Sequence, residues 1–258
     1  MYALENIGFA YGPKTIIANL SLTFETGHFY GIIGPNGSGK TTLIDLLAGH
    51  IRPHCGSITL NGRSLQHCSR KFLARWIALV PQDFRINFPY TCGEIVMMGR
   101  YPHIPRFARP GDHDRAVVKT VLHQTGLGDF VHRYVNQLSG GERQRVVFAR
   151  GLAQDTPVLL LDEATSNLDL RHTIALLNLA AERVSRGATV VAVMQDVNLA
   201  AMYCDRLVCL RNGSVFAGGP VDTVLTTEVL KAVFHVNTRV TPNEFSGARQ
   251  VVFNRDVN

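Results

Sequence analysis

Apolar residues alternate along positions 2–9 and again along 16–24, with Tyr11-Gly12-Pro13 between the two stretches. A period of two around such turn chemistry predicts an antiparallel hairpin. Phe29-Tyr30-Gly31-Ile32-Ile33 is a short unbroken apolar run that suits a strand buried on both faces. A glycine-rich stretch follows, then helical spacing from about Lys40 to Ala48, which Gly49 can terminate in a left-handed conformation. Further strands are predicted at 56–60, 77–80, 158–161, 188–193 and 206–210, with helical patterns interleaved in the second half. Alternating strands and helices define an α/β sheet protein.

Between 84 and 154 the texture changes. β-branched runs thin out, prolines gather at Pro102, Pro105 and Pro110, and helical periodicity returns over 112–125 and 140–152. This stretch reads as an inserted α-helical subdomain. Asn212-Gly213 is a turn between strand-like segments. A helix is expected around 221–234, and 236–258 reads as a polar C-terminal tail. Heptad arrays and internal repeats are absent from the sequence.

Composition narrows the class. With 258 residues, 46% hydrophobic and 18% charged, the chain holds enough apolar material for one large core or a core with a satellite. No apolar run approaches the roughly 18 to 20 residues that span a bilayer, and Met1-Tyr2-Ala3-Leu4-Glu5 opens without a basic-then-apolar leader, so a cytoplasmic protein is expected. The five cysteines are scattered without paired ligand spacing, which argues against a disulfide framework or zinc site. The net charge of +6 comes from 21 arginines and five lysines against 20 acidic residues. These are dispersed rather than blocked, with a loose set at Arg100, Arg106 and Arg109, and read chiefly as solvated surface.

Three segments carry chemistry. Gly34-Pro35-Asn36-Gly37-Ser38-Gly39-Lys40-Thr41 matches G-x-x-x-x-G-K-S/T in full and lies between a predicted strand and a predicted helix. Its glycines let successive N–H groups face a phosphate chain, Lys40 can reach the terminal phosphates, and the Thr41 hydroxyl can bind Mg2+. Val158-Leu159-Leu160-Leu161-Asp162-Glu163 is an apolar strand ending in two carboxylates, as in a Walker B motif. Asp162 suits Mg2+ binding through water, and Glu163 suits the general base that polarises the attacking water. Leu138-Ser139-Gly140-Gly141-Glu142, between those two motifs, is a glycine-rich helix start.

Together these segments resemble ATP-binding cassette (ABC) ATPases over nearly the whole chain. The resemblance implies a P-loop NTPase core sheet with an N-terminal antiparallel β subdomain and an inserted helical subdomain, all within one cassette spanning 1–258. It implies that ATP and Mg2+ are bound by Gly34, Pro35, Asn36, Gly37, Ser38, Gly39, Lys40, Thr41 and Thr42, with Tyr11 stacking on adenine. Gln82 matches the Q-loop glutamine, which contacts Mg2+ or its water. Ser139, Gly140 and Gly141 match the signature that closes over the nucleotide of a second cassette subunit. Ser166-Asn167-Leu168-Asp169 matches the D-loop, with Asp169 at that shared site. Gly99-Arg100-Tyr101-Pro102-His103, Arg106-Phe107, and the stretches 137–150, 168–172 and 196–201 resemble importers of iron–siderophore complexes, haem and vitamin B12. That branch implies transmembrane permease subunits, a separate substrate-binding protein, and a peripheral location on the cytoplasmic face of the membrane.

Two positions depart from the pattern. Ala164 stands where the family often has proline. Gln195 stands where the family usually has the switch histidine that contacts the γ-phosphate. A glutamine amide donates a hydrogen bond but carries no charge, a difference of about 1 kcal/mol or roughly tenfold in rate. Either Gln195 supports slow turnover in a homodimer, or a different cassette subunit supplies the histidine of one competent site. Cassettes acting on nucleic acid or ribosomes are the competing reading, with a weakly hydrolysing regulator as a third. Against the first stand the missing heptad arms and second cassette; nucleic acid is not an expected partner.

Overall fold

The computed structural model describes residues 1–84, 88–166 and 168–257. Residues 85–87 of the expected helical insert and Asn167 of the D-loop-like segment lie outside the described residues. The chain begins with β1 (Tyr2–Tyr11), β2 (Lys14–Phe24), β3 (Phe29–Ile33), α1 (Lys40–Ala48), β4 (Cys55–Leu60) and β5 (Arg63–Ser64). It continues through α2 (Arg70–Trp76), β6 (Ile77–Val80), α3 (Cys92–Met98), α4 (Asp112–Gln124), α5 (Gly140–Ala153), β7 (Val158–Asp162) and α6 (Leu170–Ser185). It closes with β8 (Thr189–Val193), α7 (Val197–Tyr203), β9 (Arg206–Arg211), β10 (Ser214–Pro220), α8 (Val221–Val224), α9 (Thr227–Phe234), β11 (Val236–Pro242) and β12 (Arg249–Val257). Contacts divide it into two units, one of Met1–Cys68 with Thr189–Asn258 and one of Ser69–Ala188.

In the first unit, the hairpin anticipated at the N-terminus pairs Tyr2 with Phe24 and Tyr11 with Lys14, and extends into an antiparallel sheet of order β2-β1-β4-β5. Tyr2 is buried, and its hydroxyl donates to Leu47 O of α1 at 2.9 Å, so the one polar atom of this core ring is satisfied. β3 pairs in parallel with both β8 and β9, and β10 returns antiparallel beside β9. Every residue of β3 and β8 is buried, which explains why both read as unbroken apolar runs instead of alternating ones. α1 ends at Gly49 in the left-handed conformation, φ 70°, as its sequence suggested.

In the second unit β6 and β7 run parallel, with Ile77 opposite Val158 and Val80 opposite Leu161. α5 packs on α3, α4 and β6. Its approach to β6 is close enough that a Cβ on Gly151 would sit 2.6 Å from Val80 Cγ2. The molecule is therefore a mixed α/β fold with parallel strands in each unit and an N-terminal antiparallel β sheet.

Two expectations need correction. The stretch read as a polar tail is folded over 236–257: β11 and β12 form an antiparallel hairpin, Val240 opposite Val251, around a turn in which Asn243 Oδ1 accepts from the N–H groups of Phe245 and Ser246. β11 is mostly half-buried and β12, apart from buried Val251, mostly exposed over its described side chains, so the pair gives no clean apolar alternation. The helix expected over 221–234 is two helices, because Thr226 adopts extended backbone and its hydroxyl accepts from Val229 N at 3.2 Å, starting α9 afresh.

Candidate functional site

The phosphate loop is built by its own backbone. Gly34, Gly37 and Gly39 take φ of 154°, 78° and 98°, a region that side chains disfavour. At Gly34 a Cβ would also lie 2.3 Å from Leu210 O and 2.8 Å from Ser38 Oγ, so only glycine fits. Lys40, buried at the start of α1, donates from Nζ to Gly34 O at 2.9 Å and Pro35 O at 3.0 Å, and thus lies across its own loop. Thr41 is exposed, Thr42 is buried, and Pro35 and Asn36 lie at the open side of the loop. Gly39 begins α1 with no side-chain cap, and Ser38 Oγ is buried without a hydrogen bond among the described residues. An uncapped helix start beside an orphaned hydroxyl and an ammonium group fits a bound phosphate chain. At the end of β1, Tyr11 is 52% exposed and meets Phe9 edge to face at 4.9 Å, which leaves a ring face for stacking.

Strand register places Gln195, the residue read from the sequence as the switch position. Ile32 pairs with Val193, and Met194 N donates to Ile32 O at 3.0 Å. Gly34 and Gln195 therefore each lie two residues beyond that pair, at the same carboxyl edge where α/β folds bind ligands. Gln195 is exposed there. Asp196 next to it caps α7, its Oδ1 accepting from Asn198 N and Leu199 N at 2.8 and 3.2 Å.

The second unit repeats this construction with different chemistry. Gln82 and Glu163 each lie two residues past the pair Val80–Leu161, and Gln82 Nε2 donates to Glu163 Oε2 at 2.7 Å. Glu163 has φ 47°, which is strained for a side-chain-bearing residue and directs its carboxylate off the end of β7. Asp162, the last residue of the fully buried β7, is 5% exposed. Its desolvated carboxylate in that position suits a divalent cation.

Ser139 caps α5 in a reciprocal arrangement. Its Oγ accepts from Glu142 N at 3.3 Å, while Glu142 Oε2 accepts from Ser139 N at 2.7 Å. These hydrogen bonds, from Ser139 N–H first and its hydroxyl second, hold the Glu142 carboxyl below the usual carboxylate range. At this helix start Gly140 is exposed and Gly141 half-buried. Asp169 caps α6 in a related way, accepting from His172 N and engaging His172 Nδ1 at 2.9 Å, and those contacts depress its pKa. His172 thus serves the helix start.

Sequence reasoning misplaced Arg100 among surface arginines. It is 3% exposed, pairs with Asp114 Oδ1 at 3.0 Å and donates to Ala153 O at 2.8 Å. Burial raises the Asp114 pKa, but the Gly111 N–H and the Arg100 guanidinium outweigh it and the net shift is downward. His103 likewise engages Gln154 O at 2.7 Å, so this proline-rich loop is pinned from beneath while Arg106 and Phe107 stay exposed. Gln144 went unnoticed altogether. From α5 it donates to Ala164 O at 2.9 Å, tying the signature helix to the residue after Glu163. A lone glutamine on the apolar face of α5 is the sequence signal that could have found it.

These motifs, spaced and folded in this way, define an ATP-binding cassette. Residues 17–166 match the family described as ABC transporter, and the chain belongs to that family. It is 37% identical to the iron(3+)-hydroxamate import ATP-binding protein of Bacillus subtilis, covering 92% of this chain and 88% of that protein. It is also 37% identical to the ferric enterobactin transport ATP-binding protein of Escherichia coli, covering 96% and 92%. The cobalamin import ATP-binding protein of Halobacterium salinarum is 41% identical, but the chain spans only 58% of its length. Among solved structures, a metal-chelate type ABC transporter in an inward-facing conformation aligns with TM-score 0.82 and 31% identity over 98% of this chain and 96% of that one. A bacterial ABC transporter cassette solved as a dimer aligns with TM-score 0.78 and 29% identity over 86% and 99%.

Proposed function

We propose that this chain is the ATP-binding and ATP-hydrolysing subunit of an importer for a metal chelate such as an iron–siderophore complex, haem or vitamin B12. The observation that carries the enzymatic part is the Gln82–Glu163 hydrogen bond at the ends of two parallel strands, with Glu163 held in a strained left-handed conformation. Pre-orienting a carboxylate in this way serves a base that must accept a proton from water attacking the γ-phosphorus in line. The importer reading is supported by relatives named for hydroxamate, enterobactin, haem and cobalamin import.

In this reading Tyr11 stacks on adenine, the backbone of 34–39 cradles the phosphates, and Lys40 leaves its loop carbonyls for the terminal phosphates. As the cassette resemblance implies, Thr41 would be a Mg2+ ligand, and Gln82 and Asp162 would hold the ion or its water; Thr42 supports the helix start at Lys40. When bound, Mg2+ would supply charge neutralisation on the phosphate oxygens. Ser139, Gly140, Gly141 and Asp169 serve the nucleotide of a second cassette subunit, most simply another copy of this chain. Helices α3–α5 form the helical subdomain, and residues 236–258 are a C-terminal appendage of the single cassette. A groove of about 920 Å3 in that subdomain, lined by Tyr90, Met97, Met98, Tyr101, Val118 and Leu122, receives a helix of the permease at the cytoplasmic face of the membrane. Among the described residues no helix is long and apolar enough to cross a membrane itself.

The test is Glu163→Gln, which keeps size and hydrogen bonding but removes the base. Turnover falls at least 100-fold while ATP affinity stays within a few-fold, and ATP should then hold the protein as a dimer in size-exclusion chromatography. Undiminished turnover would sink the assignment of the base.

A further inference from the structure

We infer that the C-terminal hairpin is a positioning element for the switch residue, with Asn198 as the latch. This rests on the ATPase reading proposed above and takes Gln195 to contact the γ-phosphate from the position at which the cassette resemblance places the switch residue. β12 lies against α7, the helix that follows Gln195 directly. Asn198 and Val251 exchange two hydrogen bonds: Val251 N donates to Asn198 Oδ1 at 2.7 Å, and Asn198 Nδ2 donates to Val251 O at 3.2 Å. A carboxamide paired both ways with one backbone residue has a fixed orientation, since rotating or flipping it breaks both bonds. Val251 is 3% exposed, so the latch sits over a buried anchor.

The Asn198 N–H also donates to Asp196 Oδ1, so one residue joins the hairpin to the cap beside Gln195. A cavity of about 490 Å3 completes the arrangement. Gln195, Asp196 and Asn198 line it together with Val236, Thr238 and Phe253 of the hairpin. The hairpin therefore shares with Gln195 the lining of one cavity. The need for such support follows from chemistry. An uncharged amide acts on a phosphate through a directional hydrogen bond, so a glutamine depends on orientation more than a charged imidazolium does. Asn198 touches no reacting atom and acts through Gln195.

The experiment is a double-mutant cycle on the purified full-length chain, using Asn198→Ala, Gln195→Ala and both together, with kcat, KM for ATP and thermal unfolding read for each. The expected result is a fall in kcat of about tenfold for each single variant, KM within twofold of the parent, and no further fall in the double variant. Asn198→Asp keeps the acceptor for Val251 N and should recover part of kcat; it replaces Asn198→Ala in the cycle should the alanine variant fail to fold. If Gln195→Ala lowers kcat but Asn198→Ala does not, or the two losses multiply, the latch is overturned while the role of Gln195 stands. If Gln195→Ala leaves kcat unchanged, the role of Gln195 and the latch fail together.

Discussion

The phosphate loop and the switch segment leave neighbouring parallel strands at the same edge, each two residues beyond the pair Ile32–Val193, yet they are held in opposite ways. The loop is closed by partners within six residues: Lys40 spans it onto Gly34 and Pro35. The switch segment is secured by Val251, 53 residues further along the chain, through Asn198. A site made of local contacts carries its geometry in a contiguous motif. One made of distant contacts can change its reactive residue while its supports stay in place, as would be the case if Gln195 stands in for the histidine that the cassette resemblance leads one to expect there.

The largest effect that tests this contrast is Lys40→Ala. Removing the ammonium group takes away both the brace of the loop and the charge offered to the terminal phosphates, so ATP turnover should fall by about 100-fold or more. Full activity would show that the loop is not the phosphate site. Next in size is Gln195→His, which restores a chargeable donor on an unaltered scaffold and should raise turnover about tenfold. An unchanged or lower rate in steady-state ATPase measurements would mean that the supports are matched to glutamine and not to the side chain it replaced. The smallest is an acid effect on the signature helix. Because the Glu142 carboxyl is held below its ordinary range in the folded protein, its contribution is present above that range and lost as pH falls through the lowered value. Hydrogen exchange at the first turn of α5 should therefore speed up at the acid end of carboxylate titration, and Glu142→Gln should flatten that pH dependence.

What could be read from the sequence follows the same division. The helix Lys40–Ala48 with Gly49 at its end, the buried strands β3, β7 and β8, and the hairpin of β1 and β2 were legible because each is specified by neighbours in the chain. The site residues Gln82 and Glu163 were legible as motif positions, but their hydrogen bond needed the register of β6 on β7. Arg100 was misjudged because its partners, Asp114 and Ala153 O, are 14 and 53 residues away, and no local pattern marks an arginine as buried. The C-terminal hairpin was missed for a related reason. A half-buried strand paired with a mostly exposed one has no clear apolar face, and β11 and β12 take their support from α9 and α7.

The capping box at Ser139 has a further consequence for assembly. With Glu142 holding the Ser139 N–H and the Ser139 oxygen accepting from Glu142 N, the helix end is ordered before any partner arrives. If this helix start meets a nucleotide on another subunit, as proposed, the encounter carries little entropic penalty for arranging the loop. In the proposed dimer the closed state would then last as long as the nucleotide between the subunits, because the recognition helix needs no refolding on either side of that event.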